Sequence, residues 1–348
     1  MRLGLSCGWW GIGQDQDHLA LVKRAEALGV HVVWVSEAYG VDAVSVLSWI
    51  GARTSRIRLG AGVLQIPGRT PAMTAMTAAG LNSLSGGRFD LGLGVSGPQV
   101  SEGWHGVRFA KPLERTREYV EIVRLALSRQ RVEYHGRHFQ LPLPDGPGKA
   151  LRSSAAPSEH RVPIYLAAVG PKNLELTGEI ADGWLAIFLN PEIADEHRSA
   201  IAAGLARSDD PDRPFVLDAT VPLSVADDVS RAADAVRGYA ALYVGGMGSR
   251  SQNFYNALAV RMGYEQAAAE VQDLYLAGRP RDAAAAVPER FIDDTSLLGP
   301  GDRIGERLQR YADAGITTVT LTPYGQTLEQ RVTALETAVA AADRAGLL

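Results

Sequence analysis

Eight times along this chain a short apolar segment is followed by an amphipathic one, and few architectures accept that rhythm. The apolar segments cover 3–7, 30–36, 57–64, 89–95, 163–168, 184–189, 215–225 and 317–322. They are largely continuous runs rather than alternations, the pattern of parallel strands buried on both faces. Apolar residues recur at helical spacing over 17–28, 42–53, 71–84, 112–129, 191–205, 227–239, 302–314 and 328–345. Pro71 and Pro112 stand at helix starts and Gly29 at a helix end, where those residues are favoured. Units of this kind with no break in composition predict one α/β domain over 1–348, a closed (β/α)8 TIM barrel. An open dinucleotide-binding sheet would carry G-x-G-x-x-G after its first strand. The first turn here, Gly8-Trp9-Trp10-Gly11-Ile12-Gly13, has the wrong spacing and two bulky side chains. The phosphate loop of nucleotide hydrolases is absent too.

Two stretches interrupt the rhythm. Residues 132–141 predict a small hairpin turning at Gly136, and 142–160, rich in proline, glycine and serine, a loop excursion. Residues 245–290 predict an insertion of two or three helices, over 253–261, 265–277 and 281–287, before the eighth strand.

Composition narrows the function. The chain has 348 residues and a net charge of −4, so no basic face advertises nucleic acid or an anionic membrane. No apolar run approaches the ~20 residues that span a bilayer. Its start lacks the long apolar stretch of a signal peptide, and cytoplasm is the expected location. Cys7, the single cysteine, lies in an apolar strand and reads as a buried, inert thiol. The histidines are scattered, and no metal site is expected. Arginine far outnumbers the four lysines, Lys23, Lys111, Lys149 and Lys172, a hint of a GC-rich genome.

In a barrel, chemistry sits where strands end and helices begin. That rule selects Cys7, Gly8, Trp9 and Trp10, then Glu37, Ala38, Tyr39 and Asp42. It selects Gly62-Val63-Leu64-Gln65 and Gly68-Arg69-Thr70-Pro71 after the third strand. After the fourth comes the 96–106 loop with Ser96, Gly97, Glu102, Trp104 and His105, and after the sixth Leu189, Asn190 and Pro191. The fifth strand ends in Val169-Gly170-Pro171-Lys172, a turn that opens a helix. Its backbone N–H groups are open to an anion, Pro171 suits the first helical turn, and Lys172 adds a positive charge. That reads as a phosphate cradle; an ordinary strand-to-helix turn is the alternative. Glycines and aromatics dominate the rim, which suits a flat conjugated ring better than a hydrolytic site.

On these residues the chain resembles the luciferase-like flavin and deazaflavin oxidoreductases, most closely the actinobacterial branch that uses coenzyme F420, a 5-deazaflavin. The segments are Trp34-Val-Ser-Glu-Ala-Tyr-Gly, Leu59-Gly-Ala-Gly-Val, Gly94-Val-Ser-Gly-Pro-Gln-Val, Glu102-Gly-Trp-His-Gly, Val169-Gly-Pro-Lys, Tyr243-Val-Gly-Gly-Met-Gly and Asn253-Phe-Tyr-Asn. The resemblance covers nearly the whole chain and implies a barrel with a helical insertion before the eighth strand. It implies a non-proline cis peptide at Gly62-Val63 behind the central ring of the cofactor. Ser96 and Gly97 go to the cofactor with it, and Val169, Gly170, Pro171 and Lys172 to its phosphate. Glu102 matches a carboxylate that donates a proton, and a solvated loop carboxylate is an equal reading. Packed beside Trp104 and Trp9 it would have the raised pKa a general acid needs. Glu37 matches a carboxylate near the cofactor, and a salt bridge to a barrel arginine is an equal reading. Family members are commonly homodimers, and the alanine-rich helix from Met73 to Leu84 offers a face.

The chain departs from the sugar-phosphate dehydrogenases of that family, which carry Asp-His where Glu37-Ala38 stands. The base for oxidising an alcohol is missing, so glucose 6-phosphate is not the expected substrate. Trp9, Trp10, Tyr39, Trp104 and Phe188 outline an aromatic pocket for an apolar or planar organic molecule, with His105 a second proton carrier. The expected activity is F420-dependent hydride transfer to or from C5 of the deazaflavin. The alternatives are an FMN-dependent two-component monooxygenase and a non-catalytic cofactor-binding protein of the same fold.

Overall fold

The structure, a computed structural model, describes residues 1–9, 13–156 and 158–348, and of Trp9 the backbone alone. Eight parallel strands close a barrel: β1 (Arg2–Trp9), β2 (Val32–Ser36), β3 (Arg58–Gln65), β4 (Phe89–Gly94), β5 (Ile164–Ala167), β6 (Gly183–Ile187), β7 (Val216–Ser224) and β8 (Thr318–Pro323). Each pairs with the next in order, and β8 closes the ring on β1 with Gly4 against Thr320. The predicted barrel is what the chain forms.

The helices are α1 (Asp15–Ala27), α2 (Ala43–Gly51), α3 (Pro71–Leu84), α4 (Pro98–Gly103), α5 (Pro112–Leu127), α6 (Pro171–Ile180), α7 (Ala194–Leu205) and α8 (Val229–Ala241). Then come α9 (Phe254–Arg261), α10 (Glu265–Leu276), α11 (Pro280–Ala286), α12 (Glu289–Asp294), α13 (Gly301–Asp313) and α14 (Leu328–Arg344). Their starts are chemically marked. Asp42 accepts the Ser45 N–H at 2.8 Å, Thr70 caps α3, and Thr327 with Gln330 forms a capping box on α14. The hairpin predicted at Gly136 is present, with Tyr134–His135 against Gln140–Leu141. The insertion runs further than its sequence suggested: α12 lies beyond the predicted three helices, and Leu297–Leu298 adds a short strand to β7. The segment after β4, read as loop, holds the short helix α4, which Pro98 starts.

Side chains of unequal size fill the lower barrel. Trp34 of β2 and Tyr165 of β5 meet edge to face, ring centroids 5.2 Å apart. Glycines of adjacent strands make room: a Cβ on Gly60 would come within 2.2 Å of the Trp34 ring, and one on Gly183 within 2.5 Å of Tyr165. A second apolar core lies under the insertion, where the alanine face of α8 packs with Phe188, Leu258, Val271 and Phe291. The insertion is thereby fixed over the carboxyl ends of β6 and β7.

Candidate active site

The carboxyl end of β3 is irregular. Ala61 pairs with Leu91 and Leu64 with Leu93, three steps on β3 against two on β4, so one residue bulges out of the ladder. The Gly62–Val63 peptide within it is cis. Both residues are half-buried and so face accessible space. Val63 lies over Gly94 of β4, where a Cβ would come within 2.6 Å of its methyl group.

On the next strand, Ser96 takes a left-handed backbone, φ +58°, between β4 and α4. Phe188, just past β6, does the same at φ +53°. Non-glycine residues in this region are uncommon and tend to gather at functional sites.

The predicted cradle follows β5. Gly170 is the N-cap of α6 and Pro171 its first residue, with no capping side chain. The Gly170 carbonyl accepts the N–H groups of Asn173 and Leu174, both at 3.0 Å. Among the described residues, no atom beyond its chain neighbours lies within 4 Å of where a Gly170 Cβ would stand. Lys172 is exposed beside this opening. Arg261, at the end of α9, donates to the Val169 carbonyl at 3.1 Å and brings a second cation. Only its distance in sequence hid Arg261 from a reading by strand ends.

The two predicted carboxylates differ. Glu37 accepts Arg69 and the Ala43 N–H, the latter at 3.1 Å, and its side chain is 9% exposed. Arg69 also holds Asp42. The salt bridge to a barrel arginine, one of the two readings for Glu37, is present. Glu102 has the surroundings of a loop carboxylate, the second of its two readings. Its carboxylate accepts the Phe109 N–H at 3.0 Å and Arg108 at 3.4 Å, not the wall of an apolar pocket. The reason is local: Glu102 is on α4 and folds back over its own loop, while Trp104 is 65% exposed. His105 turns inward and bonds the buried Gln65 at 2.7 Å, tying the α4 loop to the end of β3.

Tyr39 is half exposed at the end of β2. Trp10 and the Trp9 side chain lie outside the described residues. Phe188, expected to line the pocket, is buried and backs a group the sequence reading missed: Tyr239, Tyr243, Tyr255 and Tyr324. Tyr324 directly follows β8, so the strand-end rule carried past the sixth strand finds it. Tyr243 and Tyr255 stand in two segments that carry the family resemblance. Cys7 is buried, and burial pushes its thiol up to about 12, as expected of an inert cysteine.

Residues 11–318 match the family model described as luciferase-like monooxygenase. The chain belongs to that family. A protein of Mycobacterium tuberculosis named as a coenzyme F420-dependent oxidoreductase is 43% identical, over 92% of this chain and 95% of its own. A 5,10-methylenetetrahydromethanopterin reductase of Archaeoglobus fulgidus is 31% identical over 86% of each. Among solved structures, the coenzyme F420-dependent tetrahydromethanopterin reductase of Methanopyrus kandleri superposes with a TM-score of 0.80 over 98% of both chains, at 24% identity. Within the luciferase-like family this chain is thus an enzyme that stands with the F420-dependent oxidoreductases. Among the described residues no cluster of three potential metal ligands occurs, and no helix is long and apolar enough to cross a membrane.

Proposed function

We propose that this enzyme binds coenzyme F420 at the mouth of the barrel and transfers hydride to or from an apolar or planar organic substrate. One observation carries the reading: three neighbouring strands each end in a glycine-containing turn or bulge. These are the Gly62–Val63 bulge on β3, Ser96 and Gly97 after β4, and the open Gly170 turn after β5. A flat ring needs close approach to backbone, and its phosphate needs uncapped N–H groups with a nearby cation. Those residues fit such a group.

When bound, the deazaflavin supplies a hydride-carrying carbon at C5. The chain does the rest. The β3 bulge would back the ring. The Val169–Lys172 turn and the Lys172 ammonium would hold the phosphate. Glu102, partly exposed and held by the Phe109 N–H, is the carboxylate we assign to moving a proton. Glu37 is held in its pair with Arg69 and positions the end of β2. His105 holds the α4 loop through Gln65. We place the enzyme in the cytoplasm as a homodimer. Met73, Met76 and Leu84, exposed along one face of α3, support the pairing.

The test is a parallel fluorescence titration of purified protein with oxidised F420 and with FMN. F420 is expected to bind at least tenfold more tightly. Lys172→Ala is expected to weaken it about tenfold, the loss of one charge-assisted contact. Preference for FMN would replace the reading with a two-component monooxygenase. Binding of neither would leave a non-catalytic relative.

A further inference from the structure

Four tyrosines from three separated parts of the chain converge at the barrel mouth. Tyr239 comes from the end of α8, Tyr243 from the π-helical segment Leu242–Gly246 that continues it, Tyr255 from α9, and Tyr324 directly follows β8. Ring centroids are 4.7 Å apart for Tyr239 and Tyr243, 4.8 Å for Tyr243 and Tyr255, and 6.4 Å for Tyr239 and Tyr324. Phe188 packs beneath three of them at 5.2–6.3 Å.

Three observations separate this group from ordinary core. All four side chains are half-buried, although each is packed against other rings. Among the described residues none of the four hydroxyls has a hydrogen-bond partner, and none is a fully enclosed atom. They therefore reach accessible space. The third observation is electrostatic. The side chains that act on Tyr239 and Tyr243 are other tyrosines, Tyr39 across the mouth included, and on Tyr255 and Tyr324 burial acts alone. No arginine, lysine or carboxylate is among the groups that act on them.

Buried hydroxyls normally find partners, so a convergent set without them is arranged for something else. Burial raises all four above the ordinary phenol value, Tyr255 up to about 12, so they stay protonated and can donate. Aromatic walls bury a flat molecule at low entropic cost, while hydroxyl donors without a cation recognise uncharged oxygen. An anion would enter with its charge uncompensated, which is costly. We infer that Tyr239, Tyr243, Tyr255 and Tyr324 form the substrate subsite, and that it selects a neutral, planar, oxygen-bearing ring compound, held through carbonyl or ether oxygens, over an anionic one. This rests on the oxidoreductase reading above and adds the substrate class to it.

Coumarin and coumarin-3-carboxylate share one planar lactone frame and differ by a carboxylate. Calorimetric titration of the full-length protein with each, with and without F420, tests the inference. Coumarin is expected to bind at least tenfold more tightly than the carboxylate. Tyr243→Phe and Tyr255→Phe keep the rings and remove donors. Each is expected to weaken coumarin about threefold to tenfold and leave F420 affinity unchanged. Equal or better binding of the carboxylate, no coumarin binding, or full affinity in both Phe variants would overturn it. Coumarin selectivity in a protein that fails to bind F420 would break the cofactor reading and leave the subsite standing.

Discussion

The floor and the mouth of this barrel both carry polar groups, and they treat them in opposite ways. At the floor the charged groups are answered, while the Tyr165 hydroxyl has no hydrogen-bond partner among the described residues. Asp218 of β7 accepts the Trp34 indole N–H at 2.9 Å and the Thr320 hydroxyl at 2.7 Å. Arg58 forks onto Asp90 with bonds of 2.6 and 2.9 Å. At the mouth, four tyrosine hydroxyls are unanswered among the described residues. A satisfied buried group contributes to the fold, whereas an unsatisfied accessible one is free to contribute to binding. Variants at the floor should therefore move stability and variants at the mouth should move affinity. Any variant that does both breaks the distinction.

The largest expected effect is at Asp218. Burial pushes its carboxyl up to about 7, against the hydrogen bonds from Thr320 and Trp34, while unfolded aspartate titrates near ~3.9. Between those values the folded state holds a proton that the unfolded state has lost. Stability from this group is thus full below about pH 4, falls as pH rises toward 7, and is flat above. The loss between pH 5 and pH 8 comes to roughly 3 kcal/mol. Urea denaturation at the two pH values should show that slope in the wild type and not in Asp218→Asn. F420 affinity should be the same in both proteins. Parallel pH slopes would mean that Asp218 is ionised throughout and the floor is a charged site.

Arg58→Ala comes next. It removes the fork from Asp90, whose side chain is 3% exposed. Stranding one partner of a buried pair is strongly destabilising, but Arg58 is a quarter exposed and Asp90 can neutralise, so about 2 kcal/mol is expected. The loss should appear in urea denaturation with F420 and coumarin affinities unmoved. A matching loss of affinity would show that the floor sets the mouth's shape.

The two halves of the site were not equally legible in sequence. The Gly62–Val63, Gly170 and Lys172 positions are local: a strand, a glycine-containing turn and a helix lie within one short window, so the strand-end rule finds them. Tyr239, Tyr243, Tyr255 and Tyr324 are spread over 86 residues and meet only because the insertion folds back over β8. No periodicity encodes that. Glu102 shows a different limit. Its place after the fourth strand was readable, but its partners, Arg108 and the Phe109 N–H, depend on the short helix α4, which looked like loop. The barrel itself was readable because each strand is an apolar run and several helices carry their own stop and start residues.

The smallest expected effect is the most direct comparison, one hydroxyl removed from each kind of tyrosine. Tyr119 of α5 is fully packed, and its hydroxyl bonds the Thr74 hydroxyl and the Arg69 carbonyl, the latter at 3.1 Å. Tyr119→Phe strands the Thr74 hydroxyl in a buried site, a loss of about 1–2 kcal/mol. Tyr243→Phe removes a hydroxyl with no partner among the described residues and keeps the ring stacked on Tyr239 and Tyr255, so its cost should stay below about 0.5 kcal/mol. Thermal unfolding of the two variants side by side reads the difference. Equal losses would mean that the Tyr243 hydroxyl is held by the fold after all, and the mouth would then be built like the floor. A neutral Tyr243→Phe that still loses coumarin would locate that hydroxyl's contribution in binding rather than in folding.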